Sequence, residues 1–189
     1  MKKTNCKQPA LVLLCSLFAI NYCYSQNNSS HEVRPTHFGH YTEIGALAAT
    51  RNRPDNVTTA AFSFQTVNGY KFNPRFFTGI GVAADLYATQ TIIPVFVSIR
   101  SDFLTHGAFI PFGFVDGGYG IDITSSSTDI SYKSGAMFAA GIGFKIPVKE
   151  SAGFLVSFGY RLQKGATVQS GVRNNYDNNR IALRAGFSL

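Results

Sequence analysis

The chain has 189 residues, a formal net charge of +7 and 45% hydrophobic residues, among them 17 Phe and 9 Tyr. The basic residues are scattered over its length instead of forming a patch, which excludes the electrostatic footprint of a nucleic-acid-binding protein. All three cysteines, Cys6, Cys15 and Cys23, precede residue 26. The rest of the chain therefore offers no thiolate to a structural metal and no disulfide.

The amino-terminal residues follow the order of a secretory signal peptide, with positive charge, then an apolar run, then small and polar residues. Lys2, Lys3 and Lys7 precede the apolar run Ala10–Ile20, which is too short to span a bilayer. We predict that residues 1–25 are removed by cleavage after Ser25. Removal leaves 14 basic against 10 acidic residues, a formal charge of +4.

Turn signals divide the remaining chain into pieces of strand length. We predict a short amino-terminal segment, residues 26–39, followed by a barrel domain, residues 40–189. Eight strands form the smallest membrane barrel whose interior side chains just fill it. The predicted strands are 40–50, 57–67, 75–87, 91–103, 108–121, 134–147, 152–163 and 180–189.

The predicted strands alternate large apolar residues with small or charged ones, so the two kinds lie on opposite faces. A single such strand is equally consistent with an antiparallel sheet that has one solvated face. Repetition over five or more strands favours a membrane barrel with a lipid-facing exterior and a narrow polar lumen. In the last strand the apolar face consists of Ile181, Leu183, Ala185, Phe187 and Leu189, and the opposite face of Ala182, Arg184, Gly186 and Ser188.

The lengths of the connections predict an orientation. If the amino terminus starts in the periplasm, every second connection faces outside, and these include the two longest, residues 122–133 and 164–179. The connections on the periplasmic side, 68–74, 104–107 and 148–151, are compact. Aromatic residues mark two girdles at the ends of the strands. We predict Tyr87, Tyr119, Tyr132 and Tyr160 for the outer girdle, and Tyr70, Phe72, Phe76, Phe103, Phe109 and Phe187 for the inner girdle.

Several segments resemble the small eight-stranded outer-membrane β-barrel domain family of OmpA/OmpX and opacity-like proteins. They are Asn68–Pro74 followed by Gly79–Val82, the strand Phe158–Arg161 and the terminal Gly186–Leu189. The resemblance implies an all-β, eight-stranded antiparallel up-and-down transmembrane β-barrel in a Gram-negative outer membrane. It also implies contact with outer-membrane lipid and folding by the barrel-assembly machinery. Such barrels commonly end in an aromatic residue, whereas this chain ends in Leu189.

The predicted inward faces bring charged and amide side chains together in the lumen. An isolated buried ion costs several kcal/mol, so these groups must pair or be hydrated. We favour a salt-bridged plug over a conducting pore. The phase of the fifth strand is open, so Asp116 is not assigned, and inward glycines are expected to make room for Arg and Lys side chains. The candidate lumen network consists of Glu43, Gln65, Asp85, Arg100, Asp102, Lys145, Arg161 and Arg184.

The histidines do not support catalysis. An outer-membrane lipid hydrolase or acyltransferase needs a base near a nucleophile at the outer leaflet, but His31, His37, His40 and His106 all map to the periplasmic end. The glycine pairs Gly79–Gly81 and Gly141–Gly143 lack the third glycine of a nucleotide loop. We therefore predict no enzyme, no cofactor and no metal site.

The sequence favours a structural or surface-interaction role, with specificity in loops 122–133 and 164–179, because loops on a rigid scaffold vary without unfolding it. A narrow solute channel and, less favoured, a lipid-modifying enzyme are the alternatives. A soluble lipocalin-like carrier is the rival fold. The chain is expected to be a monomer.

Overall fold

The computed structural model describes residues 38–49, 60–88, 90–124, 130–133, 135–148, 152–169 and 172–189. No helix in this part of the chain is long and apolar enough to cross a membrane. Its regular elements are β-strands. They are β1 (Phe38–Ala49), β2 (Ala61–Asn73), β3 (Phe76–Leu86), β4 (Thr91–Asp102), β5 (Ile110–Asp122), β6 (Ile130–Lys133), β7 (Gly135–Pro147), β8 (Gly153–Gln169) and β9 (Val172–Ser188).

The strands form one closed antiparallel sheet in which, apart from the short β6, neighbours in sequence are neighbours in space. Both β6 and β7 pair with β8, so they are two parts of one barrel strand and the barrel has eight. The last strand closes the ring by pairing with the first, from Tyr41 opposite Ser188 to Ala49 opposite Arg180. The predicted all-β, eight-stranded antiparallel up-and-down barrel is thereby confirmed.

The side chains alternate between a buried interior and an apolar exterior. On β9, Leu183 is 57% exposed whereas its neighbour Arg184 is 2% exposed. An apolar exterior of this extent is the surface that a barrel presents to lipid. The exposed large side chains include Ile44, Phe62, Ile80, Val97, Val115, Phe138, Ile142, Phe158, Leu183 and Phe187.

The predicted turn 68–74 is wrong, because β2 continues through it to Asn73. Gly69 lies within the sheet, opposite Gly39 on β1 and Gly79 on β3. The chain reverses at Pro74 and Arg75 instead. The Asn73 side-chain oxygen accepts hydrogen bonds from the backbone N–H of Arg75, at 2.9 Å, and of Phe76, at 2.8 Å. An Asn side chain that bonds the backbone two residues on is a turn former in its own right.

The predicted loop 164–179 is also wrong. Strands β8 and β9 remain paired from Gly153 opposite Ser188 to Gln169 opposite Val172. The barrel pairing with β1 ends at Arg180, so Lys164–Gln169 and Val172–Asn179 form a hairpin extension beyond it. Asn, Ser and Gly suit loops, but continuous cross-strand pairing overrides this weak local preference.

The predicted loop 122–133 is wrong at both ends. Asp122 belongs to β5, and Ile130–Lys133 form β6, which pairs with the hairpin extension. Residues 125–129 lie outside the described residues, as do residues 1–37, which include the predicted signal peptide and most of segment 26–39. Those two assignments therefore stay predictions.

Eight of the ten aromatic residues of the predicted girdles are exposed, as a girdle requires, and their position at a membrane interface stays a prediction. All six residues of the inner girdle are exposed on the barrel exterior, as are Tyr119 and Tyr160 of the outer one. Tyr87 instead turns inward, where it packs against Leu47, Ala61 and Ala182. Its position two residues after the inward Asp85 sets this direction. The side chain of Tyr132 is not among those that the structure describes.

Candidate functional site: the interior charge network

The eight residues of the predicted network lie on the inward faces of seven strands. Seven of them are buried, and the eighth, Asp102, is partly buried. Below, the terminal end denotes the end of the barrel where Phe38 and Leu189 lie, and the hairpin end denotes the end that carries the hairpin extension. Hydrogen bonds join five of the eight residues into one network, Lys145 and Asp102 form a separate pair, and Arg184 stands apart.

Glu43 is the centre of the network. Its carboxylate accepts hydrogen bonds from Arg100 Nη2 at 2.6 Å, from Gln65 Nε2 at 2.6 Å and from Ser157 Oγ at 2.7 Å. These partners come from β4, β2 and β8, so one carboxylate links four strands across the lumen. Both members of the Arg100–Glu43 ion pair are 1% exposed. A buried carboxylate with three donors is satisfied, which is what its burial requires.

A second ion pair lies between Asp85 and Arg161. Arg161 Nη1 donates to both carboxylate oxygens, at 2.8 and 2.6 Å, and Ser63 Oγ donates to Asp85 Oδ1 at 2.6 Å. Arg161 Nη2 also donates to Gln65 Oε1 at 2.9 Å. The Gln65 amide therefore accepts from Arg161 and donates to Glu43, which joins the two ion pairs into one network.

A third pair, Lys145–Asp102, lies toward the terminal end of the lumen. The Lys145 ammonium lies 2.7 Å from Asp102 Oδ2 and 3.4 Å from the Tyr41 hydroxyl. The Arg100 guanidinium lies 4.4 Å from the centre of the Tyr41 ring, an arrangement that favours a cation. The cavity between Tyr41, Lys71, Arg100 and Asp102 has a volume of about 10 Å³. That volume holds one water molecule at most.

Asp116 is a further interior residue, whose inward direction the sequence alone leaves open. It is buried, and its Oδ1 accepts a hydrogen bond of 2.6 Å from Ser98 Oγ. Ser98 also accepts a long bond of 3.4 Å from Arg100 Nε, which ties Asp116 to the network. The inward direction of Asp116 could have been predicted from the neighbouring strand β4. Ser98 is two residues from the inward Arg100, and its cross-strand partner is Asp116.

Arg184 is buried but joins no hydrogen bond of the network. None of its three guanidinium nitrogens has a hydrogen-bond partner. Its guanidinium carbon lies 5.8 Å from the centre of the Phe114 ring. A Cβ added to Gly45 would come within 2.9 Å of the Arg184 Cγ, so this glycine leaves room for the arginine side chain. The prediction that Arg184 points into the lumen agrees with this geometry, although the structure gives it no ion-pair partner.

Inward phenylalanine rings occupy much of the remaining lumen. Four of these rings, Phe77, Phe96, Phe112 and Phe114, are buried and belong to one hydrophobic cluster. Inward glycines lie against them. A Cβ on Gly81 would come within 2.4 Å of Phe96, and one on Gly143 within 2.6 Å of Phe112. The expectation that these glycines make room for Arg and Lys is therefore wrong for most of them, since they make room for aromatic rings.

We expect the substitution Gly81→Ala to lower the free energy of unfolding by about 1–3 kcal/mol, because the added methyl overlaps the Phe96 ring in a filled core. Urea unfolding in detergent micelles measures the loss. Gly117→Ala is the matched control, since a Cβ there meets nothing within 4 Å. Equal losses in the two variants would show that the interior is not close-packed around Phe96.

A larger hollow lies on the outside of the barrel. It has a volume of about 560 Å³ and opens over Gly113 and Ala140, where small residues interrupt the apolar exterior. Its walls are Ile99, Val115 and Ile142. All three side chains are exposed on the barrel exterior. This hollow is a groove in the barrel wall and is separate from the charged interior.

The described histidines have partners or positions that do not suggest catalysis. His40 Nδ1 donates to Asn68 Oδ1 at 2.7 Å, and the Thr42 hydroxyl lies 2.7 Å from His40 Nε2. His106 is exposed in the β4–β5 connection. Among the described residues, no group of three or more His, Cys, Asp or Glu could hold a metal ion. The prediction of no catalytic or metal site stays a prediction.

No protein-family model matches the chain, and no curated protein matches it. Solved structures do. Neisserial surface protein A aligns with 80% of this chain and 95% of its own at 14% identity, with a TM-score of 0.59. The outer-membrane protein OprG from Pseudomonas aeruginosa aligns with 80% of this chain and 93% of its own at 14% identity, with a TM-score of 0.54.

A third match, the outer-membrane protein AlkL, covers 85% of this chain and 95% of its own at 11% identity, with a TM-score of 0.52. Identities this low show a shared fold and do not carry a function across. These neighbours are small eight-stranded outer-membrane barrels. The chain is therefore similar in fold to that class of barrel, as the closed sheet and its apolar exterior independently indicate.

Proposed function

We propose that this protein is an outer-membrane barrel whose sealed interior serves as a rigid anchor, and whose function is exerted by the surface at its hairpin end. The observation that carries the proposal is the interior network. Glu43 accepts hydrogen bonds from side chains of β2, β4 and β8. One of these donors, Gln65, also accepts from Arg161, which is paired with Asp85. A network of this kind fixes the register of the wall and occupies the path that a solute would take.

The hairpin extension is the surface that we assign to recognition. It stands beyond the last barrel pair, Ala49–Arg180, and is backed by the short strand β6. Lys164, Asn175 and Asp177 are exposed along it. Polar groups of both charges on a paired hairpin suit hydrogen bonding to a polar surface partner, and a rigid barrel below reduces the ordering cost of binding.

We propose that the predicted signal peptide directs the chain to the envelope of a Gram-negative cell, with the terminal end in the periplasm. The proposal includes no catalytic role, no cofactor and a monomeric barrel in outer-membrane lipid. Membrane fractionation tests this location. A protein recovered entirely in the soluble fraction, without a change in gel mobility on boiling, would contradict it.

The channel alternative is tested by planar-bilayer recording with the purified wild-type protein. We expect no steady single-channel current in potassium chloride, because the ion pairs Arg100–Glu43 and Asp85–Arg161 close the lumen near its middle. A stable, ion-selective conductance would contradict the sealed anchor and favour the narrow channel.

Recognition by the hairpin end is tested by replacing residues 164–177 with a two-residue Asn-Gly turn, which keeps Gln163 opposite Asn178. The shortened barrel is expected to keep its heat-dependent gel mobility, since the Arg161–Arg180 pair and everything below it remain. Cells that display the wild-type protein are compared with cells that display the variant on arrays of immobilised glycans and extracellular proteins. We expect the shortened protein to lose the binding that the wild type gives. Unchanged binding would place recognition elsewhere.

A further inference from the structure

Positive and negative charges are equal in number at the centre of the lumen, but direct ion pairs use only two of each. Six charged side chains there are at most 2% exposed, three carboxylates and three guanidiniums. Direct ion pairs join Glu43 to Arg100 and Asp85 to Arg161. Asp116 on β5 and Arg184 on β9 are left over. They carry opposite charges, and the Arg184 guanidinium carbon lies 5.8 Å from the ring centre of Phe114, two residues before Asp116 on the inward face of β5.

The hydrogen-bonding needs of these two groups are complementary. Arg184 has no acceptor for any of its guanidinium nitrogens, and Asp116 Oδ2 has no donor. A buried polar group without a partner destabilises the folded state, and a charged one does so more strongly. A filled interior that tolerates both groups must satisfy them by something other than the side chains around them.

We propose that ordered water bridges Asp116 to Arg184 and completes a third ion pair inside the barrel. Water donates to a carboxylate and accepts from a guanidinium, so one kind of molecule serves both groups. A small anion would serve only Arg184 and would add a fourth negative charge near three carboxylates. A cation would serve only Asp116, beside three guanidiniums.

Two further unpaired atoms support a bridge of more than one water molecule. Arg100 Nη1 and Arg161 Nε also have no acceptor. Arg100 Nε lies 3.4 Å from Ser98 Oγ, which donates to Asp116, so the Arg100 guanidinium borders the same part of the lumen. A buried water typically makes about three hydrogen bonds. These donors, together with Arg184 and the Asp116 acceptor, supply that number.

A crystal structure of the wild-type protein grown from a bromide solution tests the proposal directly. We expect ordered water within hydrogen-bonding distance of Asp116 Oδ2 and of an Arg184 nitrogen, without an anomalous bromide peak. A bromide peak beside Arg184 would overturn the water bridge in favour of an anion site. Direct contact between the two side chains would overturn it too, because no bridging ligand would then be needed.

A double-mutant cycle with Asp116→Asn and Arg184→Gln tests the pairing in solution. Each single variant is expected to lower the urea midpoint in micelles, because it leaves the opposite buried charge unbalanced. The double variant is expected to recover most of the loss, and His106→Gln in the exposed β4–β5 connection serves as a control without effect. If the loss in the double variant equalled the sum of the losses in the two single variants, the pairing of Asp116 with Arg184 would be overturned. If a single variant does not insert, the wild-type crystal structure still decides.

Discussion

Replacing Arg161 with alanine is expected to lower the free energy of unfolding by about 3–5 kcal/mol, because it leaves the Asp85 carboxylate buried without its counter-charge. Arg161 makes two hydrogen bonds to Asp85 and one to Gln65, and it is completely buried. The variant also disconnects Asp85 from the network around Glu43. Urea unfolding in micelles, followed by gel mobility before and after boiling, measures the loss.

The matched control removes both charges. In the double variant Asp85→Leu with Arg161→Met, no buried ion is left unpaired, and apolar replacements of a buried pair are often neutral or stabilising. Most of the lost stability should therefore return. The hydrated-pore alternative expects a different outcome for Arg161→Ala, namely an unchanged unfolding midpoint and an altered single-channel current. That result would refute the plug.

The substitution Leu183→Arg is expected to impair membrane insertion and to cost about 2–4 kcal/mol, since a cation on the lipid face near the bilayer midplane is poorly solvated. Leu183 is exposed on the barrel exterior opposite Phe158 of β8 and Ala46 of β1. Folding into lipid vesicles, read from the heat-dependent gel shift, measures the effect.

The same strand provides the control. Val172 is 61% exposed at the far end of β9, within the hairpin extension. Val172→Arg should fold as well as the wild type if the extension stands in water. Equal damage at Val172 and Leu183 would place the extension in the bilayer and would contradict its assignment to recognition.

The inward and outward faces of most strands could be predicted because strand geometry leaves only two choices. Once Arg184 is inward, Ala182 and Gly186 follow, and a shift by one residue would place an arginine in lipid. The same argument placed Glu43, Arg100 and Arg161 in the lumen. On β5, Gly113, Gly117 and Gly118 left neither face clearly apolar. The phase that buries Asp116 was therefore open until β4 was placed beside it.

The ends of the strands could not be predicted, because local composition competes with pairing. The Asn-Gly sequence at residues 68–69 is typical of a hairpin turn, yet Gly69 lies opposite two other glycines in the wall. Asn, Asp and Ser in residues 164–179 are typical of a loop, yet β8 and β9 stay paired through them. In both places cross-strand hydrogen bonds outweigh propensities that differ by about 1 kcal/mol per residue.

The sequence by itself determined the class of fold, the strand number and the charged character of the interior, because alternation with period two is a local property of the chain. Only the tertiary structure decided which charges meet. Glu43 and Arg100 are 57 positions apart, and Asp85 and Arg161 are 76 apart. Their pairing depends on barrel closure and on the stagger of the strands. Residue order alone does not specify how the barrel closes or how its strands are staggered. The same closure and stagger leave Asp116 and Arg184 without a direct ion pair.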